Sequence, residues 1–179
     1  NELKNFADEI IVVDDFSTDS TAEICKNLGA KVIQREMAGD WGSQKNFAIQ
    51  QASCEWIFII DSDERATPEL SAEIKKILAH DDRKFAWSCA RLSYFWGQPL
   101  KHGGWFPDYV VRLLPREGTY VTGFVHPKIH HECREIKLPS TEYLVHYPYR
   151  DWNHYFNKLN MYTTLAAKKA HEQGKSAGI

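Results

Sequence analysis

Apolar residues come in short bursts along the first half of this chain, and each burst ends at polar or charged positions. Ile10, Ile11, Val12 and Val13 run into Asp14 and Asp15, Val32 and Ile33 sit between Lys31 and Gln34, and Trp56 to Ile60 stop at Asp61-Ser62-Asp63-Glu64. Short runs rich in Ile, Val and aromatics predict buried strands of a parallel sheet, here over residues 9–13, 31–34 and the stretch that ends at Asp61. The intervening segments carry helix signals. Ser20-Thr21-Ala22-Glu23 is a capping box opening a helix through Ile24, Cys25 and Leu28 that stops at Gly29. Ser43 caps a second helix with Phe47, Ala48 and Ala52 on its apolar face. Thr67-Pro68-Glu69 gives a third its cap, its first-position proline and an acid in the first turn, ahead of a stripe of Leu70, Ile74, Ile77 and Leu78. Strands alternating with helices imply βαβ units.

The rhythm changes after Asp81. Residues 84–95 alternate like an antiparallel strand, and strands are expected over 109–114 and 120–124. Between them lies the loop His102-Gly103-Gly104-Trp105-Phe106-Pro107-Asp108. From residue 151 the pattern is helical again, with Trp152, Tyr155, Phe156, Leu159 and Tyr162 on one side and Lys158 and Lys168 at its periphery. The reading is one α/β domain over 1–179, with a ligand-binding half (1–80), a second half (81–150) and a C-terminal amphipathic helix (151–179).

Composition narrows the function classes. The 179 residues suffice for one domain with a sizeable core. A net charge of −2 gives no electrostatic support to a nucleic-acid partner. Cys25, Cys54, Cys89 and Cys133 are scattered, with no CxxC pair, which argues against zinc and disulfides and fits a reducing, cytoplasmic setting. No apolar run approaches the roughly 20 residues needed to cross a bilayer. Most of the tryptophans lie beyond residue 86, compatible with sugar stacking as well as with packing.

The candidate chemistry sits at the strand ends. Ligands of open α/β sheets bind outside the carboxyl ends of the strands. Asp61 and Asp63 can send hard oxygen ligands to Mg²⁺ or Mn²⁺, with substrate phosphates completing the shell. Asp14 and Asp15 end a second strand in the same way, and together the two describe a site for a nucleotide and its metal. The alternative roles are helix-capping acids for Asp61 and Asp63 and a turn aspartate for Asp14. Glu64 either lines the pocket or pairs with Arg65. His126, His130, His131 and His146 lack zinc spacing, because Pro127 breaks any helical pairing.

Five ordered segments, DEIIVVDDFSTDST, KVIQREMAGDWGSQKNFAI, WIFIIDSDERATPEL, HGGWFPDYVVRLL and HYPYRDWNHYFNKLNMYTTLAA, span nearly the whole chain. In these the chain resembles the family 2 glycosyltransferases of the GT-A fold. More narrowly it is similar to lipopolysaccharide inner-core β-1,4-glucosyltransferases that add glucose to a heptose. The resemblance implies a mostly parallel sheet flanked by helices with a small antiparallel acceptor-side part. It also implies that the family's first strand would precede residue 1, so that the N-terminal strand is expected to be missing. By the same resemblance, Asp61 and Asp63 anchor metal and nucleotide, Asp14, Asp15, Lys45 and Ser62 contact a UDP-sugar, and His146, ahead of His126, adds a metal ligand. Asp108 becomes the general base of an inverting transfer, and His102 and Trp105 meet the acceptor, a lipid-linked saccharide. Such an acceptor is compatible with peripheral association at the cytoplasmic face of the inner membrane. Alternatives stay open: His102 as the base, Asp108 as a structural partner of Arg112, Lys45 as an exposed helix lysine, and His146 as a core histidine. For the whole protein they are a polyprenyl-phosphate sugar synthase, a nucleotidyltransferase and a truncated, non-catalytic sugar-nucleotide-binding module.

Overall fold

The structure, a computed structural model, describes residues 2–124, 127–172 and 174, the side chain of Lys169 excepted. A short 3-10 turn (Glu2–Asn5) leads into β1 (Ile11–Asp14), which helix α1 (Thr21–Asn27) connects to β2 (Lys31–Gln34). The two strands pair in parallel, Val12 opposite Val32, as alternating strand and helix lead one to expect. Ser20 occupies the cap position of α1 but makes no side-chain cap bond. Its φ and ψ of −72° and 10° differ from the extended backbone a capping residue normally adopts, and the Asp19 carboxylate accepts from Thr21 N at 3.0 Å instead. Helix α2 (Trp41–Gln51) likewise begins before the expected Ser43. Asp40 is its cap, and Ser43 N donates to the Asp40 carboxylate at 2.9 Å.

The remaining strands are β3 (Trp56–Phe58), β4 (Glu64–Ala66), β5 (Phe85–Phe95), β6 (Gln98–Pro99), β7 (Asp108–Pro115), β8 (Tyr120–Thr122), β9 (Lys128–His130), β10 (Arg134–Lys137) and β11 (Tyr143–His146). Helix α3 (Pro68–His80) follows β4, and α4 (Trp152–Glu172) follows β11. One sheet runs β3-β7-β5-β11-β4, with β6 and β10 also paired to β5, while β8 and β9 form a separate hairpin. The expected mostly parallel sheet is therefore corrected to a mixed one. Among the described pairings β1–β2, β5–β10 and β5–β11 are parallel, and β3–β7, β5–β7, β5–β6, β4–β11 and β8–β9 are antiparallel.

The physical reason lies in how β3 is covered. Trp56, Phe58 and Ile60 pack on one cluster with Leu70, Ile74 and Ile77 of α3, whereas Ile57 and Ile59 join Leu114 in a second cluster with Ile49 and Ala52 beside α2. A strand apolar on both faces signals two covering layers, which parallel sheets usually have, but it does not fix the direction of its neighbour. β3 pairs antiparallel with β7, Ile57 opposite Leu114.

Helix α3 forms as expected. Thr67 Oγ1 accepts from Leu70 N at 3.2 Å, Pro68 starts the helix, and Leu70 and Ile74 are at most 1% exposed. Helix α4 lies against the end of β5, where Phe95 meets Trp152 edge-on with ring centres 4.9 Å apart. All four cysteines are free thiols, and burial pushes Cys89 up to about 12, so it serves as a packed apolar side chain.

Candidate functional site

Strand register assembles the site. β5 and β11 are parallel, so their carboxyl ends coincide, with Ser93 opposite His146. The antiparallel strands β4 and β7 begin at that same edge, which sets Glu64 opposite His146 and Asp108 opposite Arg91. The turn Asp61-Ser62-Asp63 delivers its acids there from β3.

Asp61 is held between two cations. Lys45 of α2 pairs with one carboxylate oxygen, and Arg112 Nη2 reaches the other at 3.1 Å. Burial works to raise the Asp61 carboxyl, but Arg112 and Lys45 outweigh it and hold it down to about 2. Asp63 lies 3.6 Å from His146 Nε2 and 3.7 Å from Lys158 Nζ. Burial opposes its ionisation too, and the bond and charge of His146 with the charge of Lys158 bring it below the usual carboxylate range. His146 Nδ1 is 3.0 Å from Ser93 Oγ, and Lys158 also donates to the Pro148 carbonyl at 3.0 Å. The Lys158 contact sets α4 beside Asp63, and burial with the charges of Asp63, Tyr149 and Asp61 raises the Tyr162 hydroxyl on the same helix.

Glu64 joins the two halves of the site. Its side chain is fully buried and does not pair with Arg65, whose guanidinium donates to the carbonyls of Ser62 and Glu64. Glu64 Oε1 accepts from Arg112 Nη2 at 2.6 Å and from Arg91 Nη1 at 3.4 Å, while Asp61 N donates to Oε2 at 3.1 Å. Arg91 donates to Asp108 through Nε at 3.0 Å and Nη2 at 2.7 Å. The expected alternative partner of Asp108, Arg112, is not its partner. At about 3.3 Å per residue, four positions along β7 separate the two by roughly 13 Å, and cross-strand register offers Arg91 instead.

The other expected residues are placed as follows. Asp14 is buried, and both its carboxylate oxygens accept from Ser17, one from the backbone N and one from the hydroxyl, so it closes the turn after β1. Asp15 is exposed and accepts from Met37 N at 2.9 Å. Ser62 is exposed. His102 and Trp105 lie on an exposed loop, with Gly103 and Gly104 in the left-handed region at φ +68° and +80°, and among the described residues no hydrogen bond or ion pair links them to the acids. His126 lies outside the described residues. His130 stacks on Tyr120, and His131 bonds the Cys133 carbonyl, so neither joins the site.

Sequence reasoning did not single out Arg91, and it did not set Arg112, Lys158 or Tyr162 beside the acids after β3. The arginines did leave a signal: each interrupts a strand that is otherwise largely apolar, and a buried guanidinium requires a carboxylate. Lys158 left none, because a lysine on an amphipathic helix reads as solvated.

Among the described residues no group of three or more His, Cys, Asp or Glu is arranged to hold a metal. The donor chemistry nonetheless fits a hard cation that takes one or two carboxylates and completes its shell with phosphate and water. Asp63 suits that role best, since both oxygens of Asp61 are already engaged.

The family model Glycosyl transferase family 2 matches residues 1–145. An uncharacterized glycosyltransferase of Rickettsia typhi is 32% identical over 185 residues, covering 98% of this chain and 63% of that protein. The lipopolysaccharide core biosynthesis glycosyltransferase LpsC of Rhizobium meliloti is 33% identical over 178 residues, covering 93% of this chain and 64% of LpsC. The chain thus spans less than two thirds of these relatives' length. Among solved structures, S. aureus TarS 1-349 in complex with UDP superposes with a TM-score of 0.59 at 16% identity, over 82% of this chain and 54% of that one, a likeness of fold.

Proposed function

The chain belongs to glycosyl transferase family 2, and on that premise we propose that it is an inverting transferase moving a hexose, glucose, from a UDP-sugar to a sugar of the lipopolysaccharide or lipooligosaccharide core. The observation that carries this reading is the continuous run of ionic contacts from Asp61 through Arg112, Glu64 and Arg91 to Asp108. It links Asp61, read as the donor-side acid, to Asp108, read as the acceptor-side acid, at one edge of the sheet. The UDP bound to TarS supports the nucleotide, and the naming of LpsC supports the acceptor class.

In this mechanism Asp14, Asp15, Lys45, Asp61 and Ser62 hold the nucleotide-sugar. The acceptor hydroxyl oxygen attacks the anomeric carbon as the bond from that carbon to the diphosphate breaks, and UDP leaves with the electron pair. Asp108 takes the hydroxyl proton. Lys158, beside Asp63, offers a cation to the departing diphosphate. Asp63 would hold a divalent cation, Mg²⁺ or Mn²⁺, with Asp61 or His146 reaching it only once released from its present partners, and the ion when bound would supply further neutralisation of the diphosphate. His102 and Trp105 border the acceptor, with Trp105 offering an exposed ring for a sugar. A lipid-linked acceptor puts the enzyme in the cytoplasm, peripherally on the inner membrane. No helix among the described residues is long and apolar enough to cross a membrane.

The test is sugar transfer by the full-length chain from a panel of UDP-sugars to a heptose-containing acceptor, with UDP binding titrated with and without EDTA. Asp63→Ala is expected to abolish both transfer and the metal-dependent gain in UDP affinity. Asp108→Asn is expected to keep UDP affinity while transfer falls about 10²-fold or more. Equal UDP affinity with and without EDTA removes Asp63 from the metal role. UDP binding without transfer to any acceptor makes the chain a binding module, and transfer to a polyprenyl phosphate redirects the acceptor.

A further inference from the structure

Asp108 does not stand alone at the edge of its strand. Arg91 faces it directly across the β5–β7 ladder, and two of its nitrogens converge on Oδ2 at 3.0 and 2.7 Å. Among the described residues Oδ1 carries no hydrogen bond, and the side chain is 43% exposed. One oxygen is clamped and the other is left to receive a proton. The clamp is itself anchored. The third nitrogen of Arg91 reaches Glu64, which lies fully buried and also accepts from Arg112, and the same Arg112 nitrogen contacts Asp61.

A buried carboxylate shared by two guanidiniums is a costly way to stabilise a fold, since apolar residues of like volume would serve as well or better. What it offers instead is geometry. The fork of an arginine fixes both the rotamer and the distance of the carboxylate it grips. We infer that Arg91 is the positioning residue for Asp108. It holds the carboxylate at the acceptor side and, through Glu64 and Arg112, keeps it in register with the donor-side Asp61. This rests on the reading of Asp108 as the base.

The experiment compares Arg91→Gln, Arg91→Lys, Asp108→Asn and the double variant Arg91→Gln/Asp108→Asn in the full-length chain. The readouts are kcat, acceptor KM, UDP affinity and melting temperature. Arg91→Gln is expected to lower kcat about 10²-fold, the loss typical of a misplaced catalytic group, with KM and UDP affinity within about twofold of the parent. Arg91→Lys keeps the charge and loses the fork, so it is expected to recover only part of kcat. In the Asp108→Asn background, Arg91→Gln should cost nothing further, because Arg91 acts through Asp108. A fully additive loss in the double variant, or a parental kcat in Arg91→Lys, overturns the inference. If Arg91→Gln does not fold, Arg91→Lys alone decides through its split of kcat from KM. A parental kcat in Asp108→Asn defeats the base assignment itself, whereas loss in Asp108→Asn beside full activity in Arg91→Gln defeats only the positioning role.

Discussion

Asp61 keeps its negative charge because Arg112 and Lys45 flank it against the pull of burial. A carboxyl held near 2 in the folded chain, against an ordinary 3.8, contributes stability that is fully present above about pH 4 and is lost as pH falls towards about 2. Lys45→Met removes one of the two cations, so the acid-induced loss of stability should be smaller and should end at higher pH than in the parent. Acid titration of thermal unfolding followed by circular dichroism measures this, and identical acid profiles for parent and variant would show that Arg112 alone suffices. The same residue shows why function and stability cannot be assigned separately here. Lys45 was read as a nucleotide contact or an exposed helix lysine, and it is an ion-pair partner of the acid it would share a ligand with.

At the level of the elements, α3 and the β1–α1–β2 unit were legible because local rules and tertiary packing agree there. Thr67, Pro68 and the Leu70–Ile74–Ile77 stripe name their own helix. The capping bond of α1 and the cap of α2 differ from those expected because serine, aspartate and asparagine compete closely for these roles. Asp19 and Asp40 took the roles expected of Ser20 and Ser43. The direction of β3 against its neighbour was not legible, since β3 alternates between two apolar clusters whichever way that neighbour runs. The acids of the site could be read from their position after apolar runs, but their arginines come from strands far along the chain, and only register brings them together. One glycine shows how tightly α2 is fitted. A Cβ at Gly42 would lie 2.7 Å from the Gly123 carbonyl oxygen, on the backbone after β8. Glycine to alanine in a helix ordinarily gains up to about 1 kcal/mol. Gly42→Ala should instead lower the melting temperature, and a gain would mean that the β8–β9 hairpin yields easily.

Across the whole molecule, the described residues form three sheets, and β1–β2 shares no ladder with the seven-stranded one. The β1–α1–β2 unit carries little buried surface, for α1 has no buried residue and within β1 only Asp14 is buried. Amide hydrogen exchange should therefore be fastest in β1 and β2 and slowest in β5 and β7, and equal protection would contradict this division. Charged side chains take part in the contacts between this unit and the chain around the end of α2, and an ion pair fastens α2 itself. Glu9 accepts from Ser53 N and Oγ, Lys31 donates to the Gln51 carbonyl, and Lys45 of α2 grips Asp61. Backbone ladders are nearly indifferent to dissolved salt, whereas charges at a surface feel a screening length that shrinks from about 10 Å at 0.1 M to about 3 Å at 1 M. Ionic strength thus becomes a control over how firmly β1 and β2 are docked. Raising it should speed exchange in β1 and β2 and leave β5 and β7 unchanged, so that the same protein is tighter in dilute buffer than in brine without any change in its core.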